Sequence, residues 1–139
     1  MKTDVLGTEW FAGEIAASAS ASRRIFALTG ELGAGKTAFC GAFLRALGAD
    51  GPFTSPTFVI MKRYPLVDGR SAYHIDCYRL KGEDELRALG FEALVADQKN
   101  IMLIEWADRV PSLIPEGAVH IRFSHGAGED ERVIEEVSS

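Results

Sequence analysis

The chain has little of what would tie it to a membrane, a disulfide framework or bare nucleic acid. No apolar run approaches the roughly 18 residues of a spanning helix, so no membrane partner is expected. Only two cysteines occur, Cys40 and Cys77, with no C-x-x-C pair. That fits buried thiols in a reduced compartment better than a disulfide or zinc framework. The net charge is −5, and a mildly acidic chain gains little from counterion release on nucleic acid. No DNA partner is expected, and any RNA substrate would be held by a partner protein. The start, MKTDVLGTEW, carries an early acid and no long apolar stretch. A signal peptide is therefore not expected, and the cytoplasm is the expected location. Repeats, low-complexity tracts and a Ser-His-Asp order are absent too. The three histidines, His74, His120 and His125, lack metal-ligand spacing, so His74 reads as structural. Trp10 and Trp106 read as packing residues.

What is present is an ordinary globular composition, 47% apolar and 25% charged over 139 residues. This length predicts one domain, 1–139, with a real core. Phe11, Ile15 and Ala19 recur at helical spacing from Thr8 onward, with Thr8 as a cap and Glu9 in the first turn. Ile25 to Leu28 reads as a short buried strand. Phe39, Phe43 and Leu47 mark a helix that Gly48 ends. Asp-Gly between "FVIMKRYPLV" and "SAYHIDCY" signals a hairpin. "EDELRALGFEALVAD" reads as short helical pieces broken at Gly90. "NIMLIEW" is a second apolar strand ending in Glu105, and "AVHIRF" with "ERVIEEV" forms a closing hairpin. The fold class is α/β, with a mixed sheet and flanking helices.

Between the first strand and the second helix lies "TGELGAGKTAF", which matches G-x-x-x-x-G-K-[ST] from Gly30 to Thr37. Glycines there let the backbone turn so that its amides converge on phosphate oxygens, and the helix adds its N-terminal partial charge. Lys36 supplies a point charge for the β- and γ-phosphates, and the Thr37 hydroxyl suits Mg²⁺. Strand, glycine loop, helix is the context this chemistry requires.

A metal needs further oxygen ligands. Glu105 ends an apolar strand, where the ligand edge of a parallel sheet lies. Asp76 in "HIDCYRL" is a second carboxylate at a strand end, suited to the metal or its water shell. Thr57 or Ser55 in "TSPT" lies where switch-type hydrolases close a loop on the γ-phosphate.

In order along the chain, "LTGELGAGKTAF", "TSPTFVIMKRY", "YHIDCYRL", "ELRALGFEAL" and "LIEWADRV" make the sequence resemble the TsaE (YjeE) family over nearly its whole length. The resemblance implies a P-loop ATPase using ATP and Mg²⁺ in N6-threonylcarbamoyladenosine formation at position 37 of tRNA. It also implies TsaD and TsaB as partners that carry out the transfer, with ATP hydrolysis resetting or activating that complex. By that likeness Gly33, Ala34, Gly35, Lys36 and Thr37 match the phosphate loop, and Thr37 and Glu105 the magnesium positions. Asp76 matches an acid needed for hydrolysis, Thr57 the switch-like threonine, and Thr8 a position near the base. Ala38 stands where the family often carries a second Thr or Ser, so an α-phosphate contact from that hydroxyl is lacking.

Rival readings differ in their demands. A small-molecule kinase needs an acceptor pocket and an arginine-bearing lid, and Leu80 to Asp97 is short for both. A regulatory GTPase usually carries N-K-x-D, which is absent. A nucleotide sensor with slow turnover would share every motif named here.

Overall fold

The computed structural model describes residues 2–3, 5–30, 35–53, 60–128 and 131–137. In chain order the elements begin β1 (Lys2–Thr3), α1 (Val5–Ala17), β2 (Ile25–Gly30), α2 (Lys36–Ala46), β3 (Met61–Pro65) and β4 (Ser71–Asp76). They continue with α3 (Glu83–Ala88), α4 (Phe91–Ala96), β5 (Asn100–Glu105), β6 (Val119–His125) and β7 (Arg132–Val137). Two 3₁₀ turns, Ala107–Arg109 and Pro111–Leu113, link β5 to β6.

The strands form one seven-stranded sheet in the order β1-β7-β6-β2-β5-β4-β3. β6, β2, β5 and β4 are mutually parallel, and β3, β7 and β1 pair antiparallel at the flanks. The mixed α/β sheet expected from sequence is thus present. The closing hairpin holds a surprise, because β6 lies parallel to β2 inside the sheet. Local pattern shows the turn between β6 and β7 but cannot show which strand β6 joins on its other side.

Strand alternation builds two cores. Phe26, Leu28, Ile101, Leu103, Ile121 and Phe123 face α1 and α2, where Phe39 and Phe43 complete the cluster. Ile25, Ala27, Met102, Ile104 and Ile75 face the opposite way, against Leu86, Phe91 and Val110. Phe43 makes an edge contact with Phe26, ring centroids 4.9 Å apart. Fully burying such a ring contributes about 1.5–3 kcal/mol.

The hairpin at Asp68-Gly69 forms as expected, with Gly69 at φ 88°. The break at Gly90 separates α3 from α4, with Gly90 at φ 82°. The first helix differs from expectation. It starts at Val5, so Thr8 lies inside it rather than capping it, and Glu9 falls beyond the first turn. Its buried stripe is Thr8, Ala12, Ile15 and Ala16. The expected Phe11-Ile15-Ala19 stripe holds, with Ile15 buried and Phe11 and Ala19 packed half-buried against the same core, while small residues seat α1 close against α2. Trp10, read as a packing residue, is 60% exposed. No helix among the described residues is long and apolar enough to cross a membrane.

Candidate functional site

Alternation also decides where the polar side chains go. Ile101 and Leu103 face α2, so Glu105, two residues further along β5, takes the same face. On β4, Ala72 belongs to that face, and His74 and Asp76 follow it by the same two-residue step. β4 and β5 are parallel and in register, with Asp76 opposite Glu105. Two acids that are far apart in sequence thus meet at the strand ends beside the start of α2.

Helix α2 begins at Lys36, and Gly35 is its N-cap at φ 98°. Gly30 sits at φ 129°, and a Cβ there would lie 1.9 Å from the Phe123 carbonyl oxygen. Glycine is needed at that position because β6 runs directly against it. Lys36 is 5% exposed. Its Nζ donates to the Gly30 carbonyl at 3.0 Å and lies 4.3 Å from the centre of the Trp106 ring. Burial lowers the Lys36 pKa, and the charges of Glu105, Asp108, Cys40 and Asp76 oppose that shift. Trp106 follows Glu105 with φ 56°, a left-handed turn of the chain that lays its ring under the lysine and against Tyr78. It therefore serves the site as well as the packing.

Glu105 is 3% exposed and does not stand alone. His74 Nε2–H donates to its Oε2 at 2.6 Å, with both side chains buried. The Cys40 thiol lies near the same carboxylate, and burial, with the nearby acids, pushes the Cys40 pKa well up. Ligand atoms of Cys40, His74 and Glu105 lie within 4.8 Å of one another. His74 was expected to be structural and without metal partners. The structure makes it the residue that orients a candidate catalytic acid. The visible signal was its i, i+2 spacing to Asp76, but the partner across the sheet could not be read from sequence.

Asp76 is half-buried, and its Oδ1 accepts the Tyr78 backbone N–H at 2.9 Å. Burial raises its pKa, the Tyr78 N–H lowers it, and the charge of Glu105 raises it further. Two carboxylates and the Thr37 hydroxyl are hard oxygen donors, the set Mg²⁺ prefers. A divalent cation would also offset the unfavourable placement of one buried carboxylate beside another. The residues present therefore fit that ion.

The structure brings Lys36, Asp76 and Glu105 together, and places Thr37 exposed on the first turn of α2. Thr8 is buried on α1, the helix that packs against α2. Gly33, Ala34, Ser55 and Thr57 lie outside the described residues.

A buried strand running into Gly30, a helix opening on Lys36, and an acid ending the neighbouring parallel strand define a nucleotide-binding protein of the phosphate-loop class. A family model described as threonylcarbamoyl adenosine biosynthesis protein TsaE matches residues 3–134. The chain belongs to the TsaE family.

Individual relatives agree. A tRNA threonylcarbamoyladenosine biosynthesis protein TsaE of Bacillus subtilis is 40% identical over 111 residues, covering 79% of this chain and 66% of that protein. The protein of the same description from Streptomyces coelicolor is 36% identical over 104 residues, 73% of this chain and 69% of the relative. That from Haemophilus influenzae is 33% identical over 98 residues, 70% and 61%. The chain thus spans between 61% and 69% of the length of these relatives. A crystal structure of Bacillus subtilis YdiB matches the fold with a TM-score of 0.74 at 32% identity, over 98% of this chain and 82% of that one.

Proposed function

We propose that the protein is a Mg²⁺-dependent ATPase that supports N6-threonylcarbamoyladenosine formation at position 37 of tRNA. In this reading it acts with a TsaD–TsaB complex that performs the transfer and holds the tRNA. The observation that carries the reading is the Asp76–Glu105 pair, in register on parallel strands and beside the lysine that opens α2.

The reaction is phosphoryl transfer to water, in which positioning and charge neutralisation dominate. Lys36 Nζ exchanges the Gly30 carbonyl for β- and γ-phosphate oxygens. Thr37 and Glu105 would hold Mg²⁺, which supplies charge neutralisation at those phosphates. His74 keeps Glu105 in one orientation. Asp76 would hold a water of that ion or orient the attacking one, and Thr57 would sense the γ-phosphate. Activity alone is slow, because the partner proteins complete the site. The whole chain acts as one domain in the cytoplasm.

The test is phosphate release from ATP with and without Mg²⁺, and with and without TsaD–TsaB. Clear stimulation by the assembly is expected, and equal rates in its presence and absence refute the reading. Asp76→Ala and Glu105→Ala lose hydrolysis more than binding, and Lys36→Ala loses binding. If Asp76→Ala keeps the parent rate, its role goes. Competition of ATP against GTP tests the base preference. Strong acceptor-dependent ADP release with a metabolite panel would favour a kinase instead.

A further inference from the structure

The arginines of the β6–β7 hairpin do not all behave alike. Arg122 bonds to Glu135 at 2.7 Å across the hairpin. Arg23, on the approach to β2, bonds to Glu136 of β7 at 2.9 Å. Arg132, the first residue of β7, is different. It pairs through its backbone with His125 on one side and Thr3 on the other. Its Nη1 is buried and has no hydrogen-bond partner among the described residues. The neighbouring acid, Glu131, turns back into its own loop, where its Oε1 accepts the Ala127 N–H at 3.3 Å.

The stem of Arg132 lies over the glycine that caps α2. A Cβ built on Gly35 would stand 2.8 Å from Arg132 Cδ, 3.0 Å from Nε and 3.7 Å from Cζ. A guanidinium therefore sits against the backbone next to Lys36, on the side contributed by the hairpin. An unpaired buried donor is costly to keep. Arginine's rigid fork of donors matches phosphate oxygens. A bound triphosphate carries more negative charge than one lysine offsets.

We propose that Arg132 is a second cationic arm of the nucleotide site, donating Nη1 to a phosphate oxygen of the bound nucleotide. The inference rests on the nucleotide-binding reading above and adds to it a residue from the opposite end of the chain. It also gives the C-terminal hairpin a role. β6 and β7 do more than close the sheet, because they carry a cation to the phosphate loop. Glycine at 35 then has two duties: it turns the chain at positive φ and leaves room for the Arg132 stem.

The test is calorimetric titration of the full chain with ATP and with ADP in Mg²⁺, together with melting curves without nucleotide. Arg132→Met keeps the apolar stem over Gly35 and removes the guanidinium. It should bind nucleotide at least about tenfold more weakly, the loss of one charge-assisted hydrogen bond. Arg132→Lys should fall between Met and the parent. A merely structural arginine would lower the melting temperature when replaced. Here the melting temperature without nucleotide should hold or rise, while the rise produced by added ATP shrinks. Affinity of Arg132→Met within about twofold of the parent overturns the inference and leaves the nucleotide-binding reading standing. A parent protein that binds neither ATP nor ADP overturns both.

Discussion

Gly30 gives the sharpest check on the packing argument. In Gly30→Ala the new methyl would sit 1.9 Å from the Phe123 carbonyl oxygen and 2.8 Å from that residue's N and C. These are backbone atoms of the neighbouring parallel strand, so no side-chain rotation relieves the clash. Alanine must also adopt φ near 129°, which costs about 1–3 kcal/mol for a residue bearing a Cβ. Overpacking against a fixed neighbour adds about 1–3 kcal/mol. The sum is about 4 kcal/mol, out of a total stability on the order of 5–15 kcal/mol. With a urea slope of about 2 kcal/mol/M, the unfolding midpoint should fall by about 2 M. Gly35→Ala is the internal comparison. Its new methyl meets Arg132 Cδ at 2.8 Å, the middle of a flexible side chain that can swing aside. Its cost is mostly the positive φ, about 1–2 kcal/mol. Urea titrations followed by circular dichroism would measure both. Equal midpoints for the two variants, or a Gly30→Ala midpoint at the parent value, would refute the claim that β6 backbone rather than loop flexibility fixes glycine at 30.

Two further outcomes follow from the site. His74→Ala leaves the buried Glu105 carboxylate without its 2.6 Å imidazole donor; losing a hydrogen bond to a buried charged group costs about 1.5–3 kcal/mol. Urea unfolding should show that loss, and His74→Gln, which keeps a donor, should recover part of it. Cys77 is fully buried and its pKa is pushed up to about 12, while Cys40 is shifted upward as well. Both thiols should therefore resist a disulfide reagent at pH 8 in the folded protein and react fully in denaturant; rapid modification of either one in the native state would contradict their burial.

Much of the site was legible in the chain because its parts are local. Gly30 to Thr37 is a contiguous pattern whose meaning comes from the strand before it and the helix after it. Glu105 was readable because an apolar run ends abruptly in an acid. The Asp68-Gly69 turn and the Gly90 break were legible because positive φ selects glycine. The start of α1 was misplaced because burial of small residues against α2, a contact between two helices, outweighs local capping. His74 was undervalued for a similar reason. Its hydrogen-bond partner lies 31 residues away on the neighbouring strand, and nothing in "YHIDCY" names it.

Periodicity and the glycine motif, properties of a few adjacent residues, carried the elements, their class and the phosphate chemistry. Strand register is a relation between distant segments, and it put Asp76 opposite Glu105, His74 beside Glu105 and β6 against Gly30, while the packing of β7 on the start of α2 put Arg132 over Gly35. Hydrogen-bonded pairing is settled by which buried faces must match, so those four juxtapositions became visible only once the sheet was assembled.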